Sequence, residues 1–442
     1  MTMKSLLLGA AAGIAAIGAA QAADLPMTKG EAVEYVKVCT AFGPGFFYIP
    51  GSDTCLKIGG EIRADYRGFG GDRPSFLGSR SFNRNDNRTA FNTEARIWFD
   101  ARTQTDWGLL RSYFQIDADS HPISQGGRSS AFNNNTFTID KAFIQFGGLT
   151  AGYAHSFFGF YDNEYGDTIW GPYYAESNTA DLIAYTAQFG NGFNATLSIE
   201  DARDHNQNGF ASPATVPAGT FVAFNQGGTT VPDVVAQLRW DQDWGTLAAQ
   251  AAGHESRSGV NTGIVFGNGT VSRNSNKYGF AVGGDVLIKI PAIDGGHFIV
   301  EGQYADGATD YLGVSNSVLG AADNFYNPFL GDVERGKGWS IVAELGGNFA
   351  PQWNANLVAS YLDVKYDNAL LNTAGGTVDY SIKEGSIVGN LTYTVVKGLT
   401  IAGEVAYTRV EQDNGDFIPA TGTFKDEKDN VWQAGIRIKR VF

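Results

Sequence analysis

Hydrophobic and polar residues alternate along most of this chain with a two-residue period. That is the pattern of a β-strand, whose successive side chains point to opposite faces. From Leu56 to Arg67 one face carries Leu56, Ile58, Ile62, Ala64 and Tyr66, and the other Lys57, Glu61, Arg63, Asp65 and Arg67. Next, Phe91, Ala95, Ile97, Phe99 and Ala101 oppose Asn92, Glu94, Arg96, Asp100 and Arg102. Beyond a turn at Asp106-Trp107-Gly108, Leu110, Phe114, Ile116 and Ala118 oppose Arg111, Tyr113, Gln115 and Asp117. Further segments are Ala142–Phe146, Leu149–Tyr153, Ile183–Phe189, Phe193–Ile199, Val234–Trp240, Leu247–Ala251, Tyr278–Ile288 and Phe298–Tyr304. The series ends with Trp339–Phe349, Trp353–Tyr361, Ile387–Val395, Leu399–Tyr407 and Trp432–Ile438. This predicts about sixteen strands, an even number in the range of bacterial membrane barrels.

The connections alternate in length. Turns near 107, 147, 191, 244, 351 and 397 are short, and that from Pro291 to Gly296 is slightly longer. Those near 68–90, 118–135, 157–180, 201–232, 254–276, 305–337, 365–385 and 411–430 are long and rich in Gly, Asn, Asp and Ser. Short periplasmic turns and long external loops characterise an all-β, transmembrane antiparallel barrel, here expected over residues 56–442. Trp240, Trp339, Trp353, Tyr361 and Tyr407 fall at strand ends, where aromatic girdles meet the two membrane interfaces. No apolar run after Ala22 is long enough to cross a bilayer as a helix.

The N-terminus reads differently. Lys4 supplies a positive charge, Leu6 to Ala20 an apolar run, and Ala20-Gln21-Ala22 a small-x-small cleavage site. Residues 1–22 are therefore expected to be a removed export signal, followed by a periplasmic segment over 23–55. Export implies an oxidising compartment, so Cys39 and Cys55 are expected to form a disulfide. Two cysteines with no histidine near them make no metal site, and no cofactor is expected.

Composition fits this picture. Glycine is abundant at 57 residues and aromatics make up 13%. The formal net charge is −14, and losing Lys4 with the signal makes it one more negative. That argues against nucleic acid as a partner, since neutralising phosphates requires excess Lys and Arg.

A barrel of this strand number leaves an aqueous channel. The segment before the first strand is too short for a plug domain, which favours a pore for small hydrophilic solutes. The connection from Phe157 to Ala180 contains Asp162, Glu164, Asp167 and Glu176 and no Lys or Arg. The first three strands place Lys57, Arg63, Arg67, Arg96, Arg102 and Arg111 on the expected lumen face. If the loop folds inward, its acids would face these bases and narrow the pore; otherwise it is an ordinary exposed acidic loop. The loop aromatics Tyr161, Tyr165, Trp170, Tyr173 and Tyr174 also leave room for a substrate-specific channel, such as one for sugars. A barrel enzyme is less well supported, because His121, His155, His205, His254 and His297 are scattered. A purely structural barrel is a further alternative.

Three stretches carry a resemblance. They are Val33-Glu34-Tyr35-Val36-Lys37-Val38-Cys39, Gly45-Phe46-Phe47-Tyr48-Ile49-Pro50-Gly51 and Asp53-Thr54-Cys55-Leu56-Lys57-Ile58-Gly59-Gly60. Together they resemble the N-terminal signature of the alphaproteobacterial general porins, the family of the Brucella major porins. Phe157-Phe158-Gly159-Phe160 and the terminal Ile438-Lys439-Arg440-Val441-Phe442 are similar too. The resemblance implies a trimeric, sixteen-stranded barrel in a Gram-negative outer membrane, in contact with its lipid and lipopolysaccharide. It implies a third external loop folded into the lumen, which carries over the loop acids and wall bases named above. It also implies that Phe442 is read by the barrel-assembly machinery.

Overall fold

The computed structural model describes residues 37–76, 78–84, 86–122, 135–161, 166, 168–176, 178–207, 209–211, 222–224, 227–257, 276–327, 332–371 and 376–442. The expected export signal, with the rest of 1–36, lies outside the described residues, as do Asp162, Glu164 and Asp167.

Sixteen antiparallel strands form the wall. They are β1 (Cys55–Ser75), β2 (Thr89–Thr105), β3 (Gly108–Ser120), β4 (Asn135–Phe146), β5 (Leu149–His155), β6 (Thr179–Gly190), β7 (Phe193–Glu200) and β8 (Asp233–Gln242). The second half comprises β9 (Gly245–Arg257), β10 (Asn276–Lys289), β11 (Asp294–Asp306), β12 (Lys337–Ala350), β13 (Trp353–Leu371), β14 (Thr377–Val396), β15 (Leu399–Ile418) and β16 (Thr423–Val441). Each pairs with its sequence neighbours, and β1 pairs with both β2 and β16, so the sheet closes and has no free edge. Closure satisfies the backbone polar groups that lipid cannot.

The outward face is the predicted one. Ile58, Ile62 and Tyr66 on β1, Leu197 and Ile199 on β7, and Ile436 and Ile438 on β16 are all exposed. Aromatic rings pack across neighbouring strands at the expected girdle positions: Phe193 stacks on Trp240, and Trp339 meets Tyr361, Trp353 meets Tyr393 and Tyr407 meets Trp432 at a tilt.

Strand ends depart from expectation on the external side. The stretches 365–385 and 411–430, expected as long loops, are mostly strand: β13 runs to Leu371 and β14 starts at Thr377, while β15 runs to Ile418 and β16 starts at Thr423. In the same way β1 runs on to Ser75 and pairs there with Gly78–Ser81. A membrane crossing needs only about 9–11 residues, whereas β14 and β15 have 20 each. The outer ends of β13 to β15 project beyond lipid, where the outward face turns polar at Lys365, Asp367 and Asp379 and the lipid-facing pattern is lost although the hydrogen-bonded ladder continues.

The N-terminal segment is tied beneath the end of the wall that carries the short turns. Phe47–Tyr48 pairs with the start of β1, and Cys39 is disulfide-bonded to Cys55 across a separation of 16 residues. Phe46 is buried beside this bond, with Lys57 and Arg102 over its ring at 5.8 and 5.0 Å. Phe442 continues the seam: its N–H donates to Gly60 O and its carbonyl accepts from Gly60 N–H. Replacing both cysteines with serine is expected to cost about 3 kcal/mol by the loop-entropy estimate. Limited proteolysis should then cut near residues 40–54 while the barrel itself stays protected.

Candidate functional site

The inward faces of the strands divide into two unlike halves. On β1 to β8 they are polar and charged. On β10 to β15 they include Leu287, Ile299, Val342, Val358, Leu362, Val364, Val388 and Val410, all buried although they point into the lumen. These strands carry apolar residues among the carboxylates of their inner face because external loops cover them from inside.

The third external connection supplies the first cover. Its hydrogen bonds go to inward-facing carboxylates around the wall. Phe160 and Tyr161 N–H donate to Glu301 on β11 at 3.3 and 3.0 Å, and Tyr161 Oη to Glu344 on β12 at 2.5 Å. The N–H groups of Ile169, Trp170 and Gly171 converge on Glu404 of β15 at 2.6, 2.7 and 2.6 Å. Trp170 Nε1 donates to Asp65 on β1 at 2.9 Å, and its ring lies against the guanidinium groups of Arg67 and Arg437. Tyr174 Oη donates to Glu384 on β14. Gly171 lets the chain come this close, since a Cβ there would lie 2.3 Å from a Val388 methyl.

The second cover was not anticipated from sequence. The connection between β11 and β12, expected as a plain external loop over 305–337, buries Ala308, Tyr311, Leu312, Val314, Val318 and Leu319 against the same apolar wall. Glu384 accepts from Ser317 Oγ and from the N–H groups of Val318 and Leu319, so one carboxylate holds both loops. Tyr366 Oη bonds to the Ala322 backbone. A small four-stranded sheet of Gly209–Ala211, Val222–Phe224, Asn324–Asn327 and Asp332–Arg335 stitches this connection to the one after β7. The loop's apolar residues follow no strand or helix period. The usable signal was the doubly apolar strand β13, whose Val358, Leu362, Val364 and Tyr366 face inward.

The wall bases named from sequence do face inward, but not as one unopposed basic surface. Arg63 pairs with Glu61 and Glu94, each at 2.6 Å. Arg96 pairs with Glu94, and with Asp117 at 2.8 Å. Arg102 and Arg111 share Asp100 at 2.7 and 3.0 Å. Lys57 and Arg102 lie at the N-terminal segment, and Arg67 is buried under the loop anchor, donating to Gln433 at 2.6 Å. Glu176 does not face these bases. It is 1% exposed, next to His205 and Asp310. Burial raises its carboxyl well above the usual range. Burial opposes charge on His205, but hydrogen bonds to Asp310 and Glu200 prevail and hold the imidazole well above its usual value.

A cavity of about 580 Å³ remains between the loops and the polar half of the wall. It is lined from β3 to β8 by Arg111, Lys141, Gln145, Asn194, Arg239 and Asp241, among others, with Tyr113 and Phe143 stacked at 5.3 Å beneath Arg111.

Comparison with known proteins agrees with this architecture. A family model described as a porin subfamily matches residues 24–435. The Porin Omp2b proteins of Brucella neotomae and Brucella abortus (strain 2308) are each 28% identical over 449 residues, spanning all of both chains. The outer membrane channel DcaP of Acinetobacter baumannii superposes with a TM-score of 0.59 at 16% identity, covering 89% of this chain and 99% of its own. A closed sixteen-stranded wall with a polar lumen and a full-length family match lead to one conclusion: the chain belongs to the porin family and forms a channel in the Gram-negative outer membrane.

Proposed function

We propose that this channel passes small hydrophilic solutes by passive diffusion, through a passage bounded by the third external loop and the polar wall of β3 to β8. The observation that carries this reading is the cavity beside the anchored loop, with Arg111, Lys141 and Arg239 against Asp241. Anchors at Tyr161 and at Ile169–Gly171 flank the stretch holding Asp162, Glu164 and Asp167. In this reading those acids form the negative side of the constriction and Arg111, Lys141 and Arg239 the positive side. Opposed charges at a narrowing create a transverse field that sorts solutes by charge. Glu176, being buried, takes no part in it.

Neutralising Asp162, Glu164 and Asp167 together is expected to shift the reversal potential in a salt gradient toward anions, measured on single channels in a planar bilayer. An unchanged potential would remove this loop from the selectivity mechanism. The stacked Tyr113–Phe143 pair favours one second reading, a preference for sugars that lie flat on aromatic faces. Saturable block of conductance by one sugar class would support it, and flux linear in concentration and limited by size would not. The family relationship supports assembly as a homotrimer and recognition of Phe442 by the assembly machinery.

A further inference from the structure

We propose that Glu176, His205 and Asp310 bind a divalent transition-metal ion of the zinc class, stapling three external loops together at the mouth of the channel. The three residues come from separate connections: the end of the third loop, the connection after β7, and the turn Thr309–Leu312 after β11. One ligand-competent atom from each lies within 4.8 Å of the others. All three side chains are buried, at 1%, 0% and 0% exposure.

The decisive feature is Glu176. Its Oε1 accepts the Asn178 N–H at 2.7 Å, but its buried Oε2 has no hydrogen-bond partner among the described residues. A buried carboxylate oxygen without a partner is costly, and a cation is one of the few things that satisfies it. The geometry points the same way: the buried carboxyl groups of Glu176, Glu200 and Asp310 converge on the single imidazole of His205.

The surroundings match those of a metal-binding histidine. His205 Nε2 lies 2.9 Å from Glu200 Oε2 and Nδ1 lies 3.1 Å from Asp310 Oδ2. Without an ion both ring N–H groups donate, to Glu200 and to Asp310; an ion binding at Nδ1 would displace the proton there and leave Nε2–H on Glu200. That is the carboxylate–histidine–metal arrangement, in which the outer carboxylate fixes the tautomer and strengthens the ligand. Asp310 is oriented in turn by the Asn178 amide and by Gln207 Nε2 at 2.5 Å, and the Tyr311 ring stacks on the imidazole at 4.6 Å. One nitrogen and two carboxylates suit zinc, cobalt or manganese, with water completing the shell. Calcium prefers six to eight oxygens and fits this set poorly.

The test uses the full chain, folded in detergent and stripped with a chelator, titrated with zinc and separately with Co²⁺ as a coloured probe. One ion per chain is expected. Binding should be lost in Glu176→Gln and in His205→Gln. Glu200→Gln retains all three ligands and should weaken binding about 10–100-fold. Heat-modifiable migration on a gel identifies the folded barrel in every variant. No saturable binding by the wild type, or equal binding by folded Glu176→Gln and His205→Gln, would overturn the proposal. The readout is independent of conductance, so it stands or falls apart from the reading of the pore.

Discussion

Replacing Glu404 with alanine should release the Ile169–Gly171 stretch of the third external loop from the barrel wall. Its carboxylate is the common acceptor for the N–H groups of Ile169, Trp170 and Gly171, all at 2.6–2.7 Å. An orphaned buried donor costs about 1–3 kcal/mol, so losing one acceptor for three donors removes most of what holds this end of the loop. Trp170 would then rely on Asp65, Gln433 and the two guanidinium groups around its ring. The expected single-channel record has a higher mean conductance and flickering between levels, where the wild type is steady. Glutamine at this position keeps one acceptor oxygen and should fall between the two. Because Glu404 points into the lumen, the lipid face is untouched and the barrel should still migrate as folded. Steady traces at the wild-type level from Glu404→Ala would show that the loop is held elsewhere.

The second large effect is expected at Gly313→Val. Gly313 sits at φ 74°, in the left-handed region that β-branched residues avoid. A Cβ there would stand 2.2 Å from the carbonyl oxygen of Ala175. Backbone cannot yield as a side-chain tip does, so the turn around Thr309–Leu312 has to lift away from the third loop. The buried cluster around Tyr311 and Leu312 then opens to water. Burying side chains of this size is worth about 1.5–3 kcal/mol each, so the covering loop should come free in the variant while the wall persists. Labelling a cysteine introduced at Leu319, a buried position, should be fast in the valine variant and slow in its parent. Equal labelling rates would mean that the turn tolerates the clash.

The outer surface was readable from sequence because lipid imposes one rule on every crossing strand. Ile58, Leu197 and Ile436 obey it regardless of what lies inside. The short turns were readable for the same reason, since each falls where the alternation resets. Above the membrane the rule lapses. The ladder from Tyr380 to Glu384 carries on by backbone pairing with residues that satisfy no lipid-facing pattern. The interior was legible only in part. Arg63, Arg96 and Arg111 alternate with Glu61, Glu94, Asp100 and Asp117 and make a cross-linked lattice of both signs, where the sequence pointed to a basic surface alone. The covering loop between β11 and β12 went unseen, because packing an irregular chain into a preformed wall demands shape and no period. Inward Val358, Leu362 and Val364 were its trace. His205 is isolated in sequence because its neighbours Glu176 and Asp310 lie on other loops.

The carboxylates of Glu301, Glu384 and Glu404 hold the inner loops largely by main-chain amides. Any residue except proline presents such an amide. The grip itself therefore leaves loop side chains that make no contact of their own free to change, while Tyr161, Trp170 and Gly171 are fixed by theirs. In such a design the wall is the inherited part and the lining the negotiable one, which lets one scaffold be retuned to new solutes by a handful of changes without relearning how to fold.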